Sequence, residues 1–133
     1  MPFGAATVIT TIGKAMFADR VRTTPATYSN APKYVAMGVG ATGAARTAVV
    51  GDTALSSEVE SRTSGTESIV TTSTTGDTYQ VVGTVTASAS RAVDEAGLFD
   101  ASSTGNLFLS ATFNVVNLSN GDSIQFTFKA QLT

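Results

Sequence analysis

Ile124-Gln125-Phe126-Thr127-Phe128-Lys129-Ala130-Gln131-Leu132 is the stretch that decides the fold. Ile124, Phe126, Phe128, Ala130 and Leu132 alternate without a break against Gln125, Thr127, Lys129 and Gln131. A period of two sends the two sets to opposite faces of an extended strand, so one face is buried and the other wet. Just upstream, Ser119-Asn120-Gly121-Asp122 reads as a turn and Leu107 to Phe113 as a further strand. Ser102-Ser103-Thr104-Gly105 is a second turn, and Ala92 to Phe99 a strand before it. Strands broken by tight turns predict antiparallel β-sandwich material.

The signal continues upstream. Tyr79 to Ala87 reads as a long strand with Tyr79, Val81, Gly83 and Val85 on one face. Thr74-Thr75-Gly76-Asp77 is its leading turn and Ile69 to Thr72 a short strand before that. Tyr34-Val35-Ala36-Met37-Gly38-Val39-Gly40 reads as a buried strand whose small residues let another backbone approach closely. Ala41 to Gly51 is a loop, and Asp52 reads as the N-cap of one or two helical turns ending near Arg62. Within Thr7 to Val21, Ile9, Ile12, Met16 and Phe17 fall at near-helical spacing. They predict a short amphipathic helix, which Gly13 weakens by about 1 kcal/mol relative to Ala. Thr23 to Lys33, with Pro25 and Pro32, is an extended loop. The prediction is a mainly β protein: an antiparallel β-sandwich, jelly-roll-like, of six to eight strands with hairpin or Greek-key connections. Residues 1–133 form one domain, of which 1–33 supply an arm, the helix and a loop.

A chain of 133 residues buries roughly 65–70% of the surface its unfolded form exposes, enough for a core without metal or disulfide. It has no Cys, His or Trp. Thiol nucleophiles, thiolate metal sites and the commonest general base are therefore missing, and the chain reads as a non-enzyme without a cofactor. Charged residues make up 14% of the chain, 8 basic against 10 acidic, so it lacks the basic surplus of a nucleic-acid binder. Thr is the commonest residue, suited to the wet face of a pleated sheet. A surface so poor in charge points to partial cover by a partner. Ala5 to Ala18 has neither the basic start of a secretory signal nor the length of a membrane span, which predicts a soluble chain made in a cytoplasm.

Three constellations invite a chemical reading. Asp94, Glu95 and Asp100 form the densest acidic cluster, but without the spacing of a calcium loop. The better reading is structural: carboxylates at strand ends accepting backbone hydrogen bonds or pairing with Arg. Glu95, between Val93 and Gly97, must be paired if buried, and Arg62 and Arg91 are the candidate partners. Gly38-Val39-Gly40 with Gly43 imitates a phosphate loop but lacks the following Lys-Ser/Thr, so close backbone packing is preferred. Ser and Thr hydroxyls have no His or Lys at a spacing that would activate them.

Gly38-Val39-Gly40, then Asp52-Thr53-Ala54-Leu55-Ser56-Ser57-Glu58 with Arg62, then Glu95-Ala96-Gly97-Leu98-Phe99-Asp100, occur in that order ahead of an aromatic and aliphatic final strand. In this the chain resembles small structural proteins and domains of tailed-bacteriophage virions, over approximately Ile9 to Leu132. The motifs are structural rather than catalytic. The resemblance implies a virion component: a capsid cement or decoration protein, expected as a homotrimer on the capsid surface, with the major capsid protein and itself as partners and neither nucleic acid nor membrane. Met1, Pro2 and Phe3, apolar and ill-suited to solvent, are candidates for an arm that docks on the shell or on a neighbouring subunit. The alternative is a tail-fibre, collar or baseplate-associated module engaged in attachment, for which Tyr28 and Tyr34 are the available aromatics. The end of the chain at Thr133, without a fibrous repeat, speaks against a complete receptor-binding fibre.

Overall fold

The structure, a computed structural model, describes residues 6–22, 24, 27–28, 30–42 and 46–133. Its elements are β1 (Ala6–Ile9), α1 (Thr11–Arg20), β2 (Tyr34–Gly38), β3 (Glu58–Ser64), β4 (Thr66–Val70), β5 (Thr78–Thr86), β6 (Arg91–Phe99), β7 (Leu107–Leu118) and β8 (Ser123–Gln131). They form two antiparallel sheets, a five-stranded one in the order β1-β7-β6-β2-β3 and a three-stranded one in the order β4-β5-β8. The fold is a mainly β sandwich with one short helix near the N-terminus, as the alternation predicts.

The inner faces meet in a core of Val35, Met37, Val81, Val85, Val93, Leu98, Leu109 and Phe128, with Met16 of α1. A second, smaller cluster of Ala36, Leu55, Phe99 and Leu107 lies under Tyr34. Residues 36 and 99 alternate with the core residues 35, 37 and 98, so β2 and β6 are buried on both faces. Leu55, from the connection between β2 and β3, packs on the outer face of the larger sheet.

The chain passes from one sheet to the other at Gly65, which separates β3 from β4. Its N–H donates to the Lys33 carbonyl at 2.7 Å. A Cβ there would lie 2.5 Å from Val81 Cγ1 and 2.9 Å from the Val82 carbonyl oxygen, so this corner closes only over glycine. Helix α1 starts late because Ala6–Ile9 pair with β7 instead, Ile9 opposite Leu109. Thr10 caps it, accepting from the Gly13 N–H at 2.9 Å. Gly13 is itself required, since a Cβ would strike the Phe108 carbonyl.

One expectation is corrected. Asp52 caps no helix: Glu58–Ser64 is strand β3, paired with β2. The Glu58 and Arg62 pair that imitates helical spacing does form, with Arg62 Nε 2.8 Å from Glu58 Oε1. It forms across a bulge in β3, where Glu60 takes a positive φ of 63°. The Ser119–Asp122 turn falls where the sequence places it. It carries the chain between sheets, since β7 pairs with β6 while β8 pairs with β5.

Candidate functional site

The segments that carry the virion-protein resemblance converge on the outer face of the larger sheet. Gly38 lies opposite Glu95 in the β2–β6 register. A Cβ at Gly38 would come within 2.5 Å of Glu95 Oε1, so the glycine makes room for a carboxylate rather than for a phosphate. Glu95 is fully buried. Its Oε1 accepts from the Ser57 N–H at 2.9 Å, and its Oε2 faces Arg46 Nη1 at 3.8 Å. Among the described residues, those two facing atoms are the buried side-chain polar atoms without a hydrogen bond.

Arg46 also binds Asp52 Oδ1 at 2.6 Å. Asp52 Oδ2 accepts from Ser110 Oγ at 3.0 Å and from the Val49 N–H at 3.1 Å. The Ala48 N–H donates to Thr112 Oγ1 at 3.2 Å. The contacts to Glu95, Ser110 and Thr112 tie the 39–57 connection to β6 and β7, and those among Arg46, Val49 and Asp52 brace it internally. Burying a carboxylate is costly unless it is paired and hydrogen-bonded, so the loop and Glu95 hold each other in place.

Neither sequence-based candidate is the partner of Glu95. Arg62 binds Glu58, stacks 3.4 Å from the Phe99 ring centroid, and donates to the carbonyls of Ala101 (2.9 Å) and Thr104 (2.6 Å). It clamps β3 to the β6–β7 turn, a geometry suited to a planar guanidinium. Arg91 binds Glu60 Oε1 at 2.7 Å. The missed partner, Arg46, is the single charged residue of the Ala41–Gly51 loop. A buried carboxylate in search of a cation was the signal that could have found it.

The acidic cluster is spread over separate tasks. Asp94 Oδ1 accepts from the Ala41 N–H at 3.1 Å, and Asp100 accepts from the Asn106 N–H at 2.7 Å and from its Nδ2 at 2.8 Å. Among the described residues no group of three or more His, Cys, Asp or Glu is placed to hold a metal ion. Tyr34 packs on the smaller cluster and Tyr28 on the larger, both half-buried. At the β4–β5 turn, the N–H groups of Thr74 and Thr72 hold the Asp77 carboxyl well below the usual carboxylate range. Burial, then the nearby Glu67 charge, pushes the Tyr79 hydroxyl up.

Two openings reach the surface. One groove, about 230 Å³, is lined by Met16, Phe17, Pro32, Ile69, Tyr79 and Phe108. The other is a cleft of about 530 Å³ lined by residues of the edge strands β1 and β8. Thr7, Ala111 and Phe113 line one wall, and Phe126, Phe128 and Lys129 the other. Met1, Pro2 and Phe3, the arm candidates, lie outside the described residues. No described helix is long and apolar enough to cross a membrane. Comparison with protein-family models, curated proteins and solved structures finds no match.

Proposed function

We propose that this chain is a bacteriophage virion structural protein, a capsid cement or decoration protein that sits on the assembled shell and bridges capsomers. One observation carries the reading beyond the resemblance itself. The three motif segments, far apart in sequence, meet around Glu95: Gly38 opposite it, Ser57 donating to it, Asp52 sharing Arg46 with it. The motifs thus share a structural task, to hold Arg46, Asp52 and Ser57 of the connection against the sheet. A cement protein works by mass action, because whatever binds only the assembled shell stabilises that shell. Repetition over many equivalent positions adds avidity. The surface suits cover by protein: β4 is exposed along Thr66–Ile69 with Glu67 its one charge. In this reading the protein is a homotrimer and the Met1-Pro2-Phe3 arm docks on the shell or on a neighbouring subunit.

The test is thermal. Particles that lack the protein should release DNA at a lower temperature than complete ones, and adding purified protein back should restore the difference. Equal release temperatures would remove the cement role and favour the tail-module alternative.

A further inference from the structure

Besides the two apolar openings, a polar pocket of about 370 Å³ lies where β2 begins and β6 ends. Tyr34 opens β2 opposite Phe99, the last residue of β6, so residues 30–34 and 100–102 come together around it. Both walls have their backbones pinned from elsewhere in the fold. On one, the Lys33 carbonyl accepts from the Gly65 N–H at 2.7 Å and the Pro32 carbonyl from the Tyr79 hydroxyl at 2.9 Å. On the other, Arg62 donates to the carbonyls of Ala101 and Thr104, and Asp100 closes the turn on Asn106.

The side chains on these fixed walls are unengaged. Among the described residues, the Asn30 amide, the Lys33 ammonium and the hydroxyls of Tyr34 and Ser102 make no hydrogen bond or ion pair, and all four residues line the pocket. Asp100, also in the lining, is 6% exposed, and its bonds to Asn106 leave each carboxylate oxygen able to accept once more. Tyr34 is half-buried, packing on the smaller core cluster while it lines the pocket. An aromatic surface therefore stands beside a ring of polar groups.

We infer that the pocket binds a neutral pyranose sugar. The chemistry of its groups selects that class. Lys33 donates, Asp100 accepts, and the Asn30 amide and the two hydroxyls do both. A ligand that meets all of them carries neighbouring groups that donate and accept, as the vicinal hydroxyls of a sugar do. A phosphate or sulfate only accepts and would face the Asp100 carboxylate, while an apolar ligand would leave the donors without partners. The C–H face of a pyranose ring packs against the electron-rich face of an aromatic ring, which Tyr34 supplies. The volume is at the small end of the range for ligand sites, which suits a single ring. Walls already fixed lose little freedom on binding. The inference goes beyond the shell-binding reading and does not rest on it.

Methyl glycosides of glucose, galactose, mannose and N-acetylglucosamine, each added up to about 50 mM, test this through the amide chemical shifts of isotope-labelled protein. At least one should move the signals of Lys33, Tyr34, Ala101 and Ser102 along a saturating curve. Ser102→Trp, made at an exposed position, fills the pocket and should abolish the response. Lys33→Ala should weaken it about tenfold. Tyr34→Leu keeps an apolar contact with the smaller cluster but removes the ring, and should abolish it as well. No saturating shift with any of the sugars would overturn the inference. A response that survives Ser102→Trp or Tyr34→Leu would do the same, as would inorganic phosphate moving these signals more strongly than every sugar. All of this is read on isolated protein, so neither result bears on the capsid reading, which is judged on particles.

Discussion

Glu95 places the largest electrostatic demand on this molecule, and Arg46 answers it. Removing one partner of a buried pair leaves the other charge stranded, although Arg46 is a third exposed and solvent screens part of the loss. Arg46→Met is expected to cost about 2–3 kcal/mol of unfolding free energy, and less in a Glu95→Gln background, as a double-mutant cycle by denaturant unfolding measures. Arg91→Met, which breaks a more exposed pair with Glu60, should cost below about 1 kcal/mol. Equal costs would mean that the Glu95 partner is wrongly assigned. That Glu95 needs a partner if buried was legible from its place in β6. Its partner was not, because a guanidinium in a loop of Gly, Ala and Thr carries no periodicity, and a bulge between Val93 and Glu95 shifts the faces.

At the scale of elements, β8 follows its alternation almost to the end. Phe128 and Ala130 are buried while Gln125, Thr127 and Lys129 are exposed. Phe126 is half-buried because it lines the open side of the sandwich, and Leu132, past the last ladder residue, is 62% exposed. Phe128→Ala should therefore cost about 3–5 kcal/mol, Phe126→Ala less, and Gln125→Ala under about 0.5 kcal/mol. A reversed order in denaturation midpoints would put the strand one residue out of register. The β4–β5 turn carries an acid response. Asp77 has a lowered folded-state pKa, so its stabilisation is full above the ordinary carboxylate range and fades as pH falls toward the lowered value. The stability gap between the parent protein and Asp77→Asn should accordingly shrink as pH drops below about 4; a constant gap would contradict the backbone hydrogen bonds as its source. Period-two strands were readable because burial writes itself into alternate residues. The helix expected after Asp52 failed because its signal was a capping aspartate, and Asp52 uses its carboxylate on Arg46, Ser110 and the Val49 N–H of its own loop instead.

For the whole molecule, the antiparallel sandwich was legible and its asymmetry was not. Turn residues such as Ser119-Asn120-Gly121-Asp122 report local backbone geometry alone, and nothing in them tells a hairpin from a passage between sheets. Sheet width depends on pairings such as β1 with β7 and β2 with β6, which no local pattern encodes. The unequal widths leave Phe113 and Phe126 half-buried in the cleft lined by β1 and β8. The central claim is that this chain is a shell component present at many equivalent positions. Counting its copies against the major capsid protein in purified particles, by quantitative mass spectrometry, tests that most directly. The account predicts a copy number comparable to that of the shell protein, recovered with heads; a handful of copies confined to tail fractions would contradict it.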